Sequence, residues 1–337
     1  MAFHHFLSKT YLRSWGYSKK AVWTYNKSAN IAEPKKLKCL IGQENYHRIN
    51  AGSLFITPEI ADHMFACLNN LSVEYRGERI TANLELNECF PYFHNWIIRT
   101  CDNQIIDENR KQEICNEVKA KFDDSIERDW DRQYENWWPI YIKRIFAILE
   151  SYRNNSKVPL DFKDIDFMFR CYIMYDWRCQ SESNSVSLAF DLVETYAEPL
   201  TKIRIPPEFR YNEYDDTLLD EIKHAYYLRE YYNFLHGSGQ MYDQLNLYEQ
   251  NFALLFLISG KERFITCESP VFWINGKEPV FIALPKLIIS VMKKDTRNPQ
   301  RYYYRFLSDD EVMFYNKAIF LHGKTIIGFD ENFSKYQ

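Results

Sequence analysis

The chain has 337 residues, of which 46% are hydrophobic and 26% are charged, a balance typical of a globular protein and not of a disordered or fibrous one. The formal net charge of −4 excludes a globally basic nucleic-acid-binding protein, although a local basic groove is compatible with that average. With only 10 glycines and 12 prolines, the chain is poor in turn-forming residues, so a helix-rich fold is expected.

The sequence gives no sign of a membrane span or a secretion signal. The longest apolar run, NFALLFLISG, is too short to cross a bilayer, and His4, His5, Ser8 and Lys9 interrupt the apolar character of the first residues. The 8 cysteines include no Cys-x-x-Cys pair, so neither a disulfide framework nor a structural zinc site is expected. We therefore predict a cytoplasmic protein without a membrane partner.

In chain order, the predicted elements begin with a strand and continue as a series of helices. AVWTYNK alternates in the manner of a strand. Thr57 and Pro58 form a typical helix start, and apolar residues then recur on one helical face as far as about Asn87.

A second long, densely charged helix is predicted from about Asp107 to Trp138. Its apolar residues form one narrow stripe, which contains Ile114, Val118, Phe122, Ile126 and Trp130. A stripe this narrow suits a partner helix or a second copy of the chain, so a projecting helix and a homo-oligomer are expected. Further helices are predicted over 139–153, 162–180, 186–200, 216–235 and 241–260.

After Gly260 the sequence changes to short β-branched and aromatic runs separated by turns, with one more helix that begins at a capping box of Ser308 and Glu311. The pattern predicts an α+β fold, in which a helix-rich body carries a small C-terminal β-sheet joined by the N-terminal segment. No repeat or linker is visible. We therefore expect residues 1–337 to form a single domain, with a helical middle at about 58–260 and a sheet region at about 261–337.

Two segments resemble the motifs of a bacterial family known only as a domain of unknown function. HHFLSKTYLRSW at 4–15 is similar to the opening motif His-His-Tyr-Val-Pro-Gln-Phe-Tyr-Leu-Arg-x-Phe, and FITCESPV at 264–271 is similar to the late motif Phe-Ile-Thr-Ser-Asp-Asn-Pro-Val. A proline-bearing strand and a helix containing Asn316 follow, as they do in the family. The chain departs from the motifs at Ser8, Glu268 and Ser269, which replace proline, aspartate and asparagine. The resemblance implies an effector of bacterial defence against phage and brings no established reaction.

The motif-like segments contain the candidate site residues. Because adjacent residues point in different directions, one of His4 and His5 is expected to face a site while the other fixes the tail. Glu268 follows a strand in a turn, where a carboxylate and an imidazole could hold a divalent ion such as Mg or Mn, or act as an acid–base pair. The structural alternative is a buried His–Glu hydrogen bond that docks the N-terminus.

Arg178 ends an apolar helix and could bind a phosphate or carboxylate with two hydrogen bonds. The alternative is that it pairs with Asp176 or another internal acid. Glu74 and Glu78, predicted one helical turn apart, could hold a metal or could simply be exposed helix charges.

The tyrosines of the helix over 216–235 could stack nucleic-acid bases or belong to the core. The sequence contains neither a glycine-rich nucleotide-binding loop nor a Gly-x-Ser-x-Gly elbow. Nucleotide-binding sites and hydrolases that use these motifs are therefore excluded.

Two functions from different classes follow. The first is a metal-assisted hydrolase, with a nuclease as the favoured type. It would act on a nucleic-acid substrate as a toxic or antiviral-defence effector. In this hypothesis His4, His5, Glu268 and Arg178 are catalytic, and His5 and Glu268 bind the metal. The second is a non-enzymatic sensor or interaction module that binds a protein partner.

Overall fold

A computed structural model describes residues 3–152, 159–179, 185–206, 210, 215–297 and 300–337. Its helices are α1 Lys9–Leu12, α2 Pro58–Met64, α3 Asn83–Cys89, α4 Glu108–Ala120, α5 Ser125–Trp130, α6 Trp138–Ser151, α7 Phe162–Arg178, α8 Ser185–Tyr196, α9 Glu198–Lys202, α10 Leu218–Leu235, α11 Gly239–Asn251 and α12 Asp309–His322. Its strands are β1 Phe3–His5, β2 Ala21–Asn26, β3 Ile31–Lys36, β4 Gly42–Glu44, β5 Ile49–Asn50, β6 Ser72–Tyr75, β7 Glu78–Ile80, β8 Ile97–Arg99, β9 Phe122–Asp123, β10 Phe252–Ser259, β11 Thr266–Cys267, β12 Val271–Ile274, β13 Glu278–Leu284, β14 Leu287–Lys293, β15 Tyr302–Leu307 and β16 Thr325–Gly328. The predicted α+β class, with a sheet near the C-terminus, is confirmed. Among the described residues, no helix is both long and apolar enough to cross a bilayer.

Two compact units make up the chain. The first unit comprises Met1–Glu44, Asp129–Ala189 and Phe234–Gln337, and the second comprises Asn45–Arg128 and Phe190–Asn233. The single domain over 1–337 stays a prediction.

The first unit contains a five-stranded sheet in the order β12-β13-β14-β10-β15. β10 and β15 run parallel, and the other neighbours run antiparallel. Because β10 lies between two strands and most of its side chains are buried, its sequence FALLFLIS is apolar throughout instead of alternating. Such a run resembles a buried helix, and the predicted helix to Gly260 was therefore wrong: α11 ends at Asn251.

A second sheet of the first unit joins the two ends of the chain. Its order is β11-β16-β2-β3, and β2 pairs antiparallel with β16. The structure thus confirms that the N-terminal segment joins the C-terminal sheet region.

The N-terminal segment is buried in the first unit, and Leu7, Tyr11 and Trp15 are all 0% exposed. The Tyr11 hydroxyl donates to the Ile282 carbonyl at 2.6 Å and accepts from the Thr266 hydroxyl at 2.8 Å. It thereby connects β13 of the five-stranded sheet with β11 of the four-stranded sheet. The Trp15 indole donates to the Phe264 carbonyl at 3.0 Å, so both aromatic side chains satisfy their polar atoms inside the core.

The second unit corrects two predicted helices. The helix expected from Pro58 to about Asn87 ends at Met64 and is followed by the β6–β7 hairpin, whose turn residues Arg76 and Gly77 both have positive φ. That geometry is typical of a tight two-residue hairpin turn. Glu74 therefore lies opposite Arg79 in the hairpin, and a metal pair of Glu74 and Glu78 one helical turn apart does not exist.

The charged helix expected over 107–138 is also interrupted. α4 ends at Ala120, β9 pairs with β5, and the Asp123 carboxylate accepts from the Ser125 amide at 2.9 Å where α5 begins. Ile114, Val118 and Ile126 of the apolar stripe are buried within the second unit. The projecting helix was therefore wrong, because these three residues of the stripe pack in the core of the second unit, whereas Phe122 is 43% exposed on β9.

We predict that Tyr11→Phe lowers the free energy of unfolding by about 1–3 kcal/mol, because the Ile282 carbonyl and the Thr266 hydroxyl lose their buried partner. Chemical denaturation measures the loss. Tyr17→Phe is the matched control, since Tyr17 is 50% exposed. Equal stability of the two variants would contradict the proposed role of the Tyr11 hydroxyl.

Candidate functional site

The adjacent histidines lie on a short buried strand. β1 pairs with β4, and His4 and His5 are 3% and 7% exposed. A Cβ atom on Gly42 would lie 2.2 Å from the His4 carbonyl oxygen, so this close pairing requires glycine. His5 Nδ1 lies 3.2 Å from the Leu40 carbonyl and donates to it, which leaves the lone pair of the neutral ring on Nε2. This is the arrangement that a metal-binding or basic histidine commonly has.

Glu268 binds the backbone at the start of β16. Its two carboxylate oxygens accept from the Lys324 and Thr325 amides at 2.7 and 2.8 Å. The motif-like turn is thus attached to the strand that pairs with β2. These contacts give Glu268 a structural role, and metal binding by Glu268 stays a proposal.

Arg178 is fully buried at the end of α7. Its Nη1 donates to Glu135 at 2.6 Å, and its guanidinium lies 5.3 Å from the ring centre of Trp130. Glu135 closes a π-helical turn over Asp131–Glu135, an irregularity that is often found at functional sites. The pairing with an internal acid, expected as the structural alternative, is therefore present, with Glu135 as the acid.

Cys179 links the three segments that carry the predicted site residues. It follows Arg178 directly, and it contacts the residues that follow His5 and Glu268. The Cys179 thiol donates to the Phe6 carbonyl at 3.8 Å, and the Ser269 hydroxyl donates to the Cys179 carbonyl at 3.4 Å. Phe6 follows His5, and Ser269 follows Glu268. Burial raises the pKa of the Cys179 thiol, which disfavours the thiolate form that a nucleophile needs.

Asn316 fixes the late motif-like segment from the side of α12. Its amide oxygen accepts from the Ile265 amide at 2.9 Å, and its amide nitrogen donates to the Arg263 carbonyl at 2.9 Å. A buried side-chain amide that satisfies two backbone groups holds the segment in one position. Asn316 thus has a structural explanation.

A cavity of about 470 Å³ in the first unit is surrounded by cations. Its lining side chains include six exposed cationic residues, which are Lys9, Arg13, Lys19, Lys20, Lys36 and Lys38. We call this site the basic pocket. Among the described residues, no carboxylate forms an ion pair with any of the six.

The sequence contains the signal for the basic pocket in two separate lysine clusters, in GYSKK and in PKKLK. The β2–β3 hairpin brings the clusters together, since Ala21 lies opposite Lys36 and the Leu37 amide donates to the Lys20 carbonyl at 3.0 Å. Sequence reasoning treated the first cluster as a polar turn and so missed the pocket.

In the second unit, His47 Nδ1 forms a short hydrogen bond with Glu127. The His47 ring is fully buried and meets the rings of Tyr46 and Tyr231 edge-on. An imidazole and a carboxylate in contact are two ligands of the kind that a divalent cation takes. The sequence analysis did not select either residue, because 80 positions separate them.

A second histidine of this unit lies between two acceptors. His224 Nδ1 lies 2.8 Å from an Asp215 carboxylate oxygen and Nε2 lies 2.6 Å from the Tyr46 carbonyl oxygen, so each ring nitrogen faces an acceptor. Burial and the Asp215 carboxylate raise the pKa of nearby Glu221 to about 7, against the opposing charge of His224. Glu221 is 9% exposed, and its Oε1 is buried without a hydrogen-bond partner among the described residues. The adjacent cavity of about 20 Å³ has room for about one water molecule, so this cluster can hold a proton but not a substrate.

Of the four tyrosines considered for base stacking, Tyr227 and Tyr231 belong to the core, whereas Tyr226 and Tyr232 are partly exposed. Tyr227 and Tyr231 are 0% exposed, so their ring faces are not open to a nucleic acid.

We predict that Arg178→Met destabilises the protein by about 3–5 kcal/mol, because the Glu135 carboxylate then stays buried without its guanidinium partner. Adding Glu135→Leu should restore much of the loss, and urea denaturation of the single and double variants measures it. A double variant as unstable as the sum of both single variants would contradict the pairing.

The raised pKa of Glu221 predicts a pH-dependent stability. Between its ordinary pKa of 4.5 and about 7, the folded state holds a proton that the unfolded state has released, so this contribution is complete below pH 4.5 and disappears as the pH rises to about 7. Glu221→Gln should therefore reduce the loss of stability between pH 5 and pH 8 by about 1–2 kcal/mol. Denaturation at both pH values tests this, with the exposed Glu194→Gln as control, and an unchanged pH difference would contradict it.

Neither a curated protein nor a solved structure matches the chain significantly. A family model described as "Protein of unknown function (DUF4238)" matches residues 4–330. Since the match covers nearly the whole chain, the protein belongs to this family of proteins of unknown function.

Proposed function

We propose that this protein is a nucleic-acid-directed effector whose basic pocket binds the phosphate backbone of its substrate. The observation that carries the proposal is the group of six exposed cations around one cavity in a chain whose net charge is −4. Like charges held close together repel one another, so a polyanion that neutralises them binds with a favourable and salt-dependent free energy.

The architecture of the pocket supports the same proposal. Lys9 and Arg13 come from α1 and the turn that follows it, and this segment is held by the buried Tyr11 and Trp15. On the other side, the 3₁₀ turn over Leu37–Cys39 precedes Leu40, whose carbonyl binds His5. The motif-like N-terminal segment therefore positions the cations, which provides a physical reason for His5 to matter even where it does not touch substrate.

The reaction that we propose is metal-assisted hydrolysis of a phosphodiester, as a nuclease in defence against phage. His4, His5, Arg178 and Glu268 remain the proposed catalytic residues in the first unit, with His5 and Glu268 as metal ligands. His47 and Glu127 are added as a candidate ligand pair of the second unit, since their contact joins an imidazole to a carboxylate. A bound divalent cation would activate water and stabilise charge on the phosphate.

The alternative is a non-enzymatic sensor or interaction module. It shares the basic pocket but needs no hydrolysis. Incubating the purified protein with labelled DNA and RNA in Mg²⁺ or Mn²⁺ distinguishes the two functions, because only the nuclease gives metal-dependent products. His5→Ala and Glu127→Gln should abolish cleavage while a melting curve confirms folding. Binding without any cleavage by the wild-type protein would favour the sensor.

Nucleic-acid binding itself is tested by reversing charge in the pocket. Lys19→Glu with Lys20→Glu should lower the affinity for an oligonucleotide at least about tenfold and reduce the slope of log K against log salt by about 2, because about two phosphate contacts are lost. Fluorescence anisotropy between about 50 and 200 mM salt measures both quantities.

The matched control is Lys293→Glu with Lys317→Glu, which has the same change of charge at exposed lysines outside the pocket. If control and pocket variants lose affinity equally, binding depends on net charge and the proposed site is wrong.

A further inference from the structure

A cavity of about 590 Å³ in the second unit lies between α4 and the segment that follows α3. Its lining combines aromatic rings, amides, cations and the carboxylate of Glu108, and the residues on which the inference rests are Phe90, Phe93, Asn50, Gln112, Lys111 and Lys119. We call it the Phe90 pocket. Its volume lies in the range that small-molecule sites usually have.

Lys111 is the residue that most directly indicates a ligand. The side chain is 11% exposed, and its ammonium group donates to the His94 carbonyl at 2.8 Å. Its ion pair with the exposed Glu108 carboxylate is long, at 4.0 Å, and includes no hydrogen bond. An ammonium group has three N–H donors, so within the described part of the chain this buried cation has donors left for an anion.

The remaining lining indicates what the anion carries. Lys119, about two helical turns further along α4, adds a second cation. Phe90 and Phe93, which are 6% and 8% exposed, contribute a small apolar ring surface against which a planar group can pack. Side-chain amides from Asn50 and Gln112 can donate to and accept from the edge of such a group.

We infer that the Phe90 pocket binds a nucleoside phosphate, with the phosphate at Lys111 and Lys119 and the base against the phenylalanines. This inference goes beyond the proposed function and does not depend on it, since no residue of the basic pocket takes part.

The experiment is isothermal titration of the full chain with AMP, with adenosine and inorganic phosphate as separate probes. Binding of AMP at least about tenfold tighter than of either part alone is expected, because only AMP engages both the cations and the rings. GMP, CMP and UMP then define the base. If none of the four nucleotides binds up to about millimolar concentration, the inference is wrong.

Two variants locate the site. Lys119→Gln should weaken AMP binding at least about fivefold, whereas Lys121→Gln, the same change on a residue that does not line the pocket, should leave it unchanged. Both lysines are on the helix or at its end, and Lys119 is exposed, so folding is expected to survive.

Lys19→Glu with Lys20→Glu, which removes charge from the basic pocket, should not affect AMP binding. Equal weakening by Lys119→Gln and Lys121→Gln, or loss of AMP binding in the basic-pocket variant, would overturn the assignment to the Phe90 pocket.

Discussion

The first unit depends on a single buried hydroxyl group. Tyr11 donates to β13 of one sheet and accepts from Thr266 on β11 of another, while its ring packs on Trp15, Tyr175 and Phe281. A buried phenol in this position is favourable only if both polar neighbours remain aligned, because an unpaired carbonyl in an apolar core is costly. These contacts therefore hold together the N-terminal segment, the two sheets and α7, although these elements are far apart in the sequence.

This constraint changes the interpretation of the motif-like segments. Ser8 caps α1, Glu268 binds the backbone of β16 and Asn316 satisfies two backbone groups of the late segment. Each has a structural explanation from its own contacts. Histidine differs: His5 uses Nδ1 for the Leu40 carbonyl, and its other nitrogen has the lone pair that proton transfer or metal binding requires. These contacts distinguish the His5 imidazole from Ser8, Glu268 and Asn316, whose side-chain oxygens accept from backbone amides.

The sequence predicted the elements whose signals are local and missed those that depend on distant partners. Thr57 with Pro58 and Ser308 with Glu311 are caps that act within one turn, and both helices begin where expected. The run FALLFLIS is apolar throughout, and no local feature of this sequence distinguishes a buried central strand from a buried helix. The Arg76-Gly77 turn is not an Asn-Gly or Asp-Gly pair of the kind that marks a hairpin in a sequence, and the apolar spacing favoured a continuous helix. Of the candidate sites, neither the basic pocket nor the contact of His47 with Glu127 could be deduced, because strand register and tertiary folding bring their residues together.

The basic pocket and the buried core of the first unit are linked energetically. Six exposed cations around one cavity repel one another, and the repulsion favours any opening of α1 or of the β2–β3 hairpin. Tyr11 and Trp15 oppose that opening on one side, and the pairing of β2 with β16 opposes it on the other. A polyanion removes the repulsion, so its binding should stabilise the same segment that the core holds. The apolar N-terminal residues therefore have two roles. They complete the core, and they hold the six cations close together in a geometry that an anionic ligand can recognise.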